Sequence, residues 1–181
     1  MSACSADGPR LPPVTLVLGG ARSGKSRYAE RLVEDAASGG TYCATAEAGD
    51  AEMAERIAAH RARRGAFWCT VETPLELAPT IAAEAAPERP VLVDCLTLWL
   101  SNLLIAGRQP DAEIRVLCRA LHEVVGPVVL VSNEVGLGLV PETALGRHFR
   151  DAAGRLNQEI AALADRVVFI AAGLPLALKE P

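Results

Sequence analysis

A glycine-rich stretch, GGARSGKS, follows the apolar run VTLVLGG, and it spans Gly19 to Ser26. The spacing Gly19-xxxx-Gly24-Lys25-Ser26 matches the complete phosphate-loop pattern. Glycines let successive backbone N–H groups converge on an anion, and the N-terminus of the following helix adds its positive dipole end. Lys25 would bridge the β- and γ-phosphates, and the Ser26 hydroxyl would ligate Mg²⁺. The motif therefore predicts that the chain binds a nucleoside triphosphate.

Strand-like and helix-like segments alternate along the remaining sequence. The predicted strands cover 14–20, 41–46, 66–72, 90–97, 127–132 and 166–173. The predicted helices cover 25–37, 50–65, a segment opening at Thr73-Pro74, 98–105, 111–125 and 143–164. This alternation predicts an α/β fold of the P-loop NTPase type, a mainly parallel sheet with helices on both faces. We expect a flexible lead-in at 1–13 and a single domain at 14–181.

Composition narrows the class of partner. The net charge of −4 leaves no basic footprint for nucleic acid. The 18 basic residues include only two lysines, Lys25 and Lys179, so a lysine inside the phosphate motif is not background composition. The five cysteines form no CxxC pair, which favours free thiols in a reducing compartment. Without an apolar run long enough to span a bilayer, we expect a cytoplasmic protein with no membrane insertion.

An acidic residue ends another apolar run. VLVDC places Asp94 at the end of a predicted core strand, where a carboxylate would hold Mg²⁺ or its water in a phosphate-loop protein. The alternative is an ordinary aspartate that caps the next helix. A GTPase switch is disfavoured because no N-K-x-D occurs, and the D-x-x-G match at 151–154 falls inside a predicted late helix. A small-molecule kinase is the class that remains.

One histidine lies in an unusual context. Met53, Ile57 and His60 follow one another at helical spacing, and arginines crowd the end of that predicted helix. His60 is either a semi-buried core residue or a nucleophile whose neighbouring arginines neutralise a leaving pyrophosphate. Spacing alone leaves both readings open. His122 and His148 lie in ordinary helical contexts and receive no chemical role.

Four segments together resemble one bacterial family. They are LVLGGARSGKSRYAE, YCATAEAGDAEMAERIAAHRARRGAFWCTVETP, VLVDCLTLWLSNLL and VVLVSNEVGLGLVPETALGRHFRDAAGRLNQ. The sequence resembles the bifunctional adenosylcobinamide kinase/adenosylcobinamide-phosphate guanylyltransferase of cobalamin biosynthesis over roughly residues 14–179. The resemblance implies two activities. ATP or GTP phosphorylates adenosylcobinamide, and GTP then guanylylates an enzyme histidine that passes GMP to adenosylcobinamide phosphate.

The resemblance also implies particular site residues. The guanylylated histidine falls on His60, and position 59, where some members carry a second histidine, is alanine. Position 94 is an aspartate where other members carry glutamate, which shortens the side chain by one methylene. The implied nucleotide contacts are Gly19, Gly20, Ala21, Arg22, Ser23, Gly24, Lys25, Ser26, Ala44, Thr45, Ala46, Arg61, Ala62, Arg63, Arg64, Glu72 and Asp94. The resemblance implies that Lys25, as well as His60, is catalytic. It also implies that Ser26 and Asp94 are Mg²⁺ ligands. A homotrimer with active sites between subunits is implied as well.

A polar, glycine-bearing loop, SNEVGLGLVPE, follows the predicted strand VVLVS. It is either a plain connection or part of a ligand site at the carboxyl edge of the sheet. We predict that Asn133 and Glu134 lie near the nucleotide or the corrinoid. Two other functions stay open from the residues alone: a monofunctional P-loop kinase of another small alcohol, and a nucleotide-binding regulatory module.

Overall fold

The computed structural model describes residues 10–47 and 65–181. The strands are β1 (Val14–Gly19), β2 (Gly40–Ala44), β3 (Trp68–Glu72), β4 (Val91–Asp94), β5 (Val128–Asn133), β6 (Arg166–Ala171) and β7 (Leu174–Lys179). The described helices are α1 (Lys25–Glu34), α2 (Leu77–Glu84), α3 (Leu96–Ile105), α4 (Pro110–Glu123) and α5 (Ala144–Leu163). The sheet order is β3-β2-β4-β5-β1-β6-β7. All neighbouring strands pair in parallel except β6 and β7, which are antiparallel.

The central strands are buried on both faces, which explains their continuous apolar sequences. In β1, Leu16 faces a core cluster that includes Trp99 of α3 and Leu156 of α5. Its neighbour Val17 faces a second cluster with Val33 of α1. Helices therefore cover both faces of a mainly parallel sheet, and the predicted fold class is confirmed.

Contacts with the sheet begin before β1. Leu11 packs against the second cluster, and the Pro13 carbonyl oxygen accepts a hydrogen bond of 2.8 Å from the Val128 backbone N–H. These contacts fall inside the lead-in predicted at 1–13, whose first nine residues lie outside the described part of the chain.

Two sequence expectations need correction. The helix predicted to open at Thr73-Pro74 begins at Leu77, with Glu76 as its N-cap residue. The preceding backbone is occupied elsewhere: the Thr73 N–H donates to Ala44, and the Leu75 carbonyl accepts from the Trp99 indole. The sequence reading also missed β7, because its apolar residues are exposed at the sheet edge and follow a two-residue turn at Ala172 and Gly173.

Candidate functional site

The phosphate loop connects β1 to α1. Gly24 is the N-cap residue of α1 with φ 99°, a left-handed conformation that suits glycine, and Lys25 begins the helix. Gly19 is closely packed, since a Cβ atom there would lie 2.6 Å from the Ile170 carbonyl oxygen and 2.6 Å from Ser23 Oγ. That Oγ atom is buried and has no hydrogen-bond partner among the described residues. The helix N-terminus thus opens onto a backbone turn that only glycine permits at two points.

Neighbouring segments hold this loop in place. The Gly173 N–H, in the β6–β7 turn, donates 2.9 Å to the Ser23 carbonyl oxygen. The Glu134 N–H, directly after β5, donates 3.1 Å to the Gly19 carbonyl oxygen. Glu134 therefore lies against the loop, although the sequence predicted only its proximity to a ligand.

Lys25 is buried against the loop. Its ammonium donates a hydrogen bond of 2.9 Å to the Gly20 carbonyl oxygen, and 8% of the residue is exposed. Burial lowers the pKa of Lys25 from its ordinary value, while the nearby Cys95 and Asp94 act in the opposite direction. The other lysine, Lys179, donates to the Ala161 and Ala162 carbonyls near the end of α5 and serves the fold.

The strand register aligns the predicted acidic residues. Ala44 pairs with Glu72 on one side and with Asp94 on the other, so the ends of β3, β2 and β4 lie level. Asp94 in turn pairs with Val131 of β5. Because the strands are parallel, these ends share the carboxyl edge of the sheet with the phosphate loop.

Asp94 does not cap the next helix. The N-cap residue of α3 is Cys95, and no side chain makes a cap hydrogen bond there. Asp94 Oδ2 instead accepts a hydrogen bond of 2.6 Å from the Tyr42 hydroxyl. This contact removes the capping alternative, and the Asp94 charge also favours the protonated form of Lys25, raising its pKa against the effect of burial.

The side chain of Thr45 makes structural hydrogen bonds within the protein. It is fully buried. Its hydroxyl donates a hydrogen bond of 2.8 Å to the Cys95 carbonyl oxygen and accepts another of 2.8 Å from the Cys95 N–H. The Asn102 amide nitrogen of α3 donates 2.7 Å to the Thr45 carbonyl and 3.1 Å to the Pro74 carbonyl. Burial, together with Asp94, raises the pKa of the Cys95 thiol to about 12, so this cysteine stays a neutral packing group. The Thr45 N–H also donates 3.3 Å to the Asp94 carbonyl, so the side chain and the backbone of Thr45 are both engaged within the protein.

A second polar network fixes the end of β5. Ser132 Oγ donates 2.7 Å to Asn157 Oδ1, and the Asn157 amide donates 3.2 Å to the Asn133 carbonyl. The Asn133 N–H donates 2.7 Å to the Thr97 hydroxyl at the start of α3. These contacts position Asn133, which pairs with Gly19 across β1 and β5.

His60, Arg61, Ala62, Arg63 and Arg64 lie outside the described residues. Within the described ranges, no group of three or more histidine, cysteine, aspartate or glutamate side chains could hold a metal. The residues that the sequence reading missed are Tyr42, Cys95, Thr97, Asn102, Asn157 and Gly173. No local sequence motif predicts these residues, because their partners lie on strands and helices that are distant in sequence.

A cavity of about 360 Å³ lies at the opposite edge of the sheet. Gly40, Phe67, Trp68 and Arg89 help to line it. Gly40 and Trp68 begin β2 and β3, so this cavity is at the amino end of the strands, away from the phosphate loop.

No helix in the described ranges is both long and apolar enough to cross a bilayer. Among solved structures, the chain resembles the assembled ATPase EscN of the enteropathogenic E. coli type III secretion system, with a TM-score of 0.56 and 12% identity. The match covers 89% of this chain and 43% of that one. At this identity the likeness shows the fold alone, and it agrees with the predicted P-loop NTPase architecture.

Sequence comparison is more specific. The chain is 54% identical over 169 residues to the bifunctional adenosylcobalamin biosynthesis protein CobP of Pseudomonas aeruginosa, covering 92% of this chain and 98% of that protein. It is 44% identical over 179 residues to the bifunctional adenosylcobalamin biosynthesis protein CobU of Salmonella typhimurium, covering 91% and 98%. The sequence model of the family described as cobinamide kinase / cobinamide phosphate guanyltransferase matches residues 15–178. The chain therefore belongs to the cobinamide kinase / cobinamide phosphate guanyltransferase family.

Proposed function

We propose that the chain is a bifunctional transferase that acts twice on one corrinoid. In the first reaction, the hydroxyl of adenosylcobinamide receives the γ-phosphoryl group of ATP or GTP. In the second, GMP passes from GTP to adenosylcobinamide phosphate, giving adenosylcobinamide-GDP and pyrophosphate. The observation that carries this proposal is the buried Lys25 ammonium, which donates to the Gly20 carbonyl of the phosphate loop and is close enough to Asp94 for that carboxylate to favour its charge. It lies in a chain that matches the family model over residues 15–178.

The phosphoryl-transfer half uses the phosphate loop. The backbone N–H groups of Gly20, Ala21, Arg22, Ser23 and Gly24 would surround the phosphates, with Gly19 providing the close turn. Lys25 would exchange its hydrogen bond with Gly20 for contacts to the β- and γ-phosphates and stabilise the charge that develops in the transition state. The substrate oxygen forms the new P–O bond, and the nucleoside diphosphate leaves with the electrons of the broken one.

The donor set near the loop fits a magnesium ion. Mg²⁺ prefers oxygen ligands and keeps several waters, so a hydroxyl and one carboxylate are a sufficient protein contribution. Ser26 and Asp94 would supply those oxygens, and Asp94 lies at the same sheet edge as the loop. When bound, the ion neutralises phosphate charge. The protein's own part is to orient the two oxygens.

The guanylyl-transfer half rests on His60. A neutral imidazole nitrogen attacks the α-phosphorus of GTP, a P–N bond forms, and the bond to the bridging oxygen breaks as pyrophosphate leaves. A phosphate oxygen of the substrate then forms a new P–O bond while the P–N bond breaks and the imidazole recovers its electron pair. Arg61, Arg63 and Arg64 would neutralise the pyrophosphate. The exit of β2 at Ala44, Thr45 and Ala46, the Ala62 backbone and Glu72 complete the proposed nucleotide contacts.

We also propose a homo-oligomer, a trimer by family resemblance, working in the cytoplasm. The support for assembly is apolar surface near the site: Leu137 and Leu139 in the loop after β5 are 83% and 96% exposed. Exposed apolar side chains that form a contiguous patch mark interaction surfaces on soluble proteins.

The two activities can be tested separately. Protein supplied with adenosylcobinamide and γ-labelled ATP or GTP should give labelled adenosylcobinamide phosphate. Unlabelled adenosylcobinamide phosphate with α-labelled GTP should give labelled adenosylcobinamide-GDP. Phosphorylation without guanylyl transfer would support a monofunctional kinase instead. Turnover of other small alcohols, with none of cobinamide, would contradict the proposed substrate.

A further inference from the structure

One buried tyrosine contacts the carboxylate that the proposed function assigns to magnesium. Tyr42 of β2 is fully buried, and its hydroxyl donates a hydrogen bond of 2.6 Å to Asp94 Oδ2. A distance this short is typical of a hydroxyl bound to an ionised carboxylate, which is a stronger contact than one between neutral groups. The tyrosine hydroxyl is therefore a strong partner for this acid.

The position of that hydroxyl is fixed by packing. The Tyr42 ring meets the Trp68 ring edge-on, with centroids 5.6 Å apart and planes at 88°. Tyr42 also belongs to the core cluster that contains Val33 of α1 and Leu92 of β4. The ring has little freedom to move, so the hydroxyl reaches Asp94 from a rigid base.

The strand register puts both side chains on one face of the sheet. Tyr42 pairs with Leu92, and Asp94 follows Leu92 by two residues, which returns it to the same face. That face is the one covered by α1, whose first residue is Lys25. Tyr42 therefore holds Asp94 at the edge of the sheet, on the face covered by α1, and the phosphate loop lies at the N-terminal end of that helix.

The hydrogen bond gives the two carboxylate oxygens of Asp94 different roles. Oδ2 is engaged by Tyr42, and the side-chain torsion of Asp94 is fixed as a result. Oδ1 has no hydrogen-bond partner among the described residues, so there its lone pairs are available to a cation or a cation-bound water. An aspartate has one methylene fewer than a glutamate, so its reach depends more strongly on this orientation.

We propose that Tyr42 is a positioning residue that orients Asp94 toward the magnesium ion of the nucleotide complex. This inference rests on the metal role proposed for Asp94, and Tyr42 itself touches neither nucleotide nor substrate. Positioning partners of metal-binding groups commonly change metal affinity by about 10- to 100-fold when they are removed.

The test is Tyr42→Phe, which removes one oxygen and keeps the ring. GTP binding is titrated at a series of Mg²⁺ concentrations and in EDTA, and Mn²⁺ binding in the presence of GTP is followed by electron paramagnetic resonance. We expect the Mg²⁺ concentration for half-maximal enhancement of GTP binding to rise about 10-fold, with weaker Mn²⁺ binding. GTP affinity in EDTA should stay within about twofold of the wild type. An unchanged metal dependence, or an equal loss of affinity with and without metal, would overturn the proposal.

Thr41→Val is the matched control. Thr41 precedes Tyr42 in β2, is fully buried, and its hydroxyl donates to the Glu84 carboxylate, away from the site. This variant should alter stability alone and leave the metal dependence unchanged.

Asp94→Asn separates this inference from the function on which it rests. If Asp94→Asn changes the metal dependence and Tyr42→Phe does not, the positioning role fails alone. If Asp94→Asn also leaves the metal dependence of GTP binding unchanged, Asp94 is not a metal ligand, and that part of the proposed function is wrong. In the double variant, Tyr42→Phe should add no further change to metal affinity, whereas a general packing defect would add the same loss in both backgrounds.

Discussion

The ammonium of Lys25 lies 2.9 Å from the carbonyl oxygen of Gly20, within the loop that would hold the phosphates. The buried lysine is thus satisfied by the protein's own backbone. Triphosphate binding has to replace this hydrogen bond with phosphate contacts. Since burial lowers the pKa of Lys25, the charge is also less firmly held than on a surface lysine.

We expect ATP affinity to fall at alkaline pH for this reason. Lys25 has a lowered pKa in the free protein, and bound phosphates would raise it again. Affinity is therefore complete below the lowered pKa and decreases as the pH rises through it, by up to about tenfold per pH unit. Calorimetric titration with ATP between pH 7 and 10 measures the effect.

Lys25→Arg is the control for that titration. A guanidinium stays protonated across the whole range, so whatever affinity this variant retains should not change with pH. A wild-type profile as flat as that of the arginine variant would contradict the role given to the lysine charge.

Two adjacent glycines of the loop should respond differently to alanine. At Gly19 a Cβ atom would meet the Ile170 carbonyl oxygen at 2.6 Å, whereas at Gly20 it would meet nothing within 4 Å. Gly19→Ala should lower the free energy of unfolding by about 1–3 kcal/mol, and Gly20→Ala should change it by less than about 0.5 kcal/mol. Urea unfolding measures both. Equal effects would mean that the tight approach between the loop and β6 is wrong.

Asn102 connects the exit of β2 to the segment after β3, which brackets the stretch carrying His60. Asn102→Leu leaves the Thr45 and Pro74 carbonyls without this donor and should cost about 1–3 kcal/mol of unfolding free energy. We also expect guanylyl transfer to lose more activity than phosphoryl transfer, since the phosphate loop is held by other contacts. The neighbouring Ser101→Ala serves as the control on α3. An equal loss of both activities would contradict this local role of the two Asn102 hydrogen bonds.

The sequence was sufficient to predict the fold class and to place Glu72 and Asp94 at the ends of strands. Apolar runs identified six strands, and the phosphate-loop spacing identified the β1–α1 junction, because both signals are local. Strand order is not a local property. The pairing of β2 with β4, and with it the contact between Tyr42 and Asp94, depends on how distant segments pack.

The missed edge strand has a different cause. In β7, Leu174, Leu176 and Leu178 are all more than half exposed, so burial does not explain their apolar character. An alternating strand pattern normally assigns such residues to a core. The prediction of the first turn of α2 failed because tertiary hydrogen bonds of Thr73 and Leu75 outweighed a local cap signal.

We propose that one histidine, His60, carries GMP between GTP and the corrinoid. Protein incubated with GTP labelled at the α-phosphate should acquire a label that is stable to base and labile to acid, as a phosphoramidate is. His60→Asn should abolish this label while the phosphorylation of adenosylcobinamide continues. His122→Asn and His148→Asn should leave both intact. A label that persists in His60→Asn, or a folded His60→Asn protein that has lost phosphorylation as well, would contradict the account.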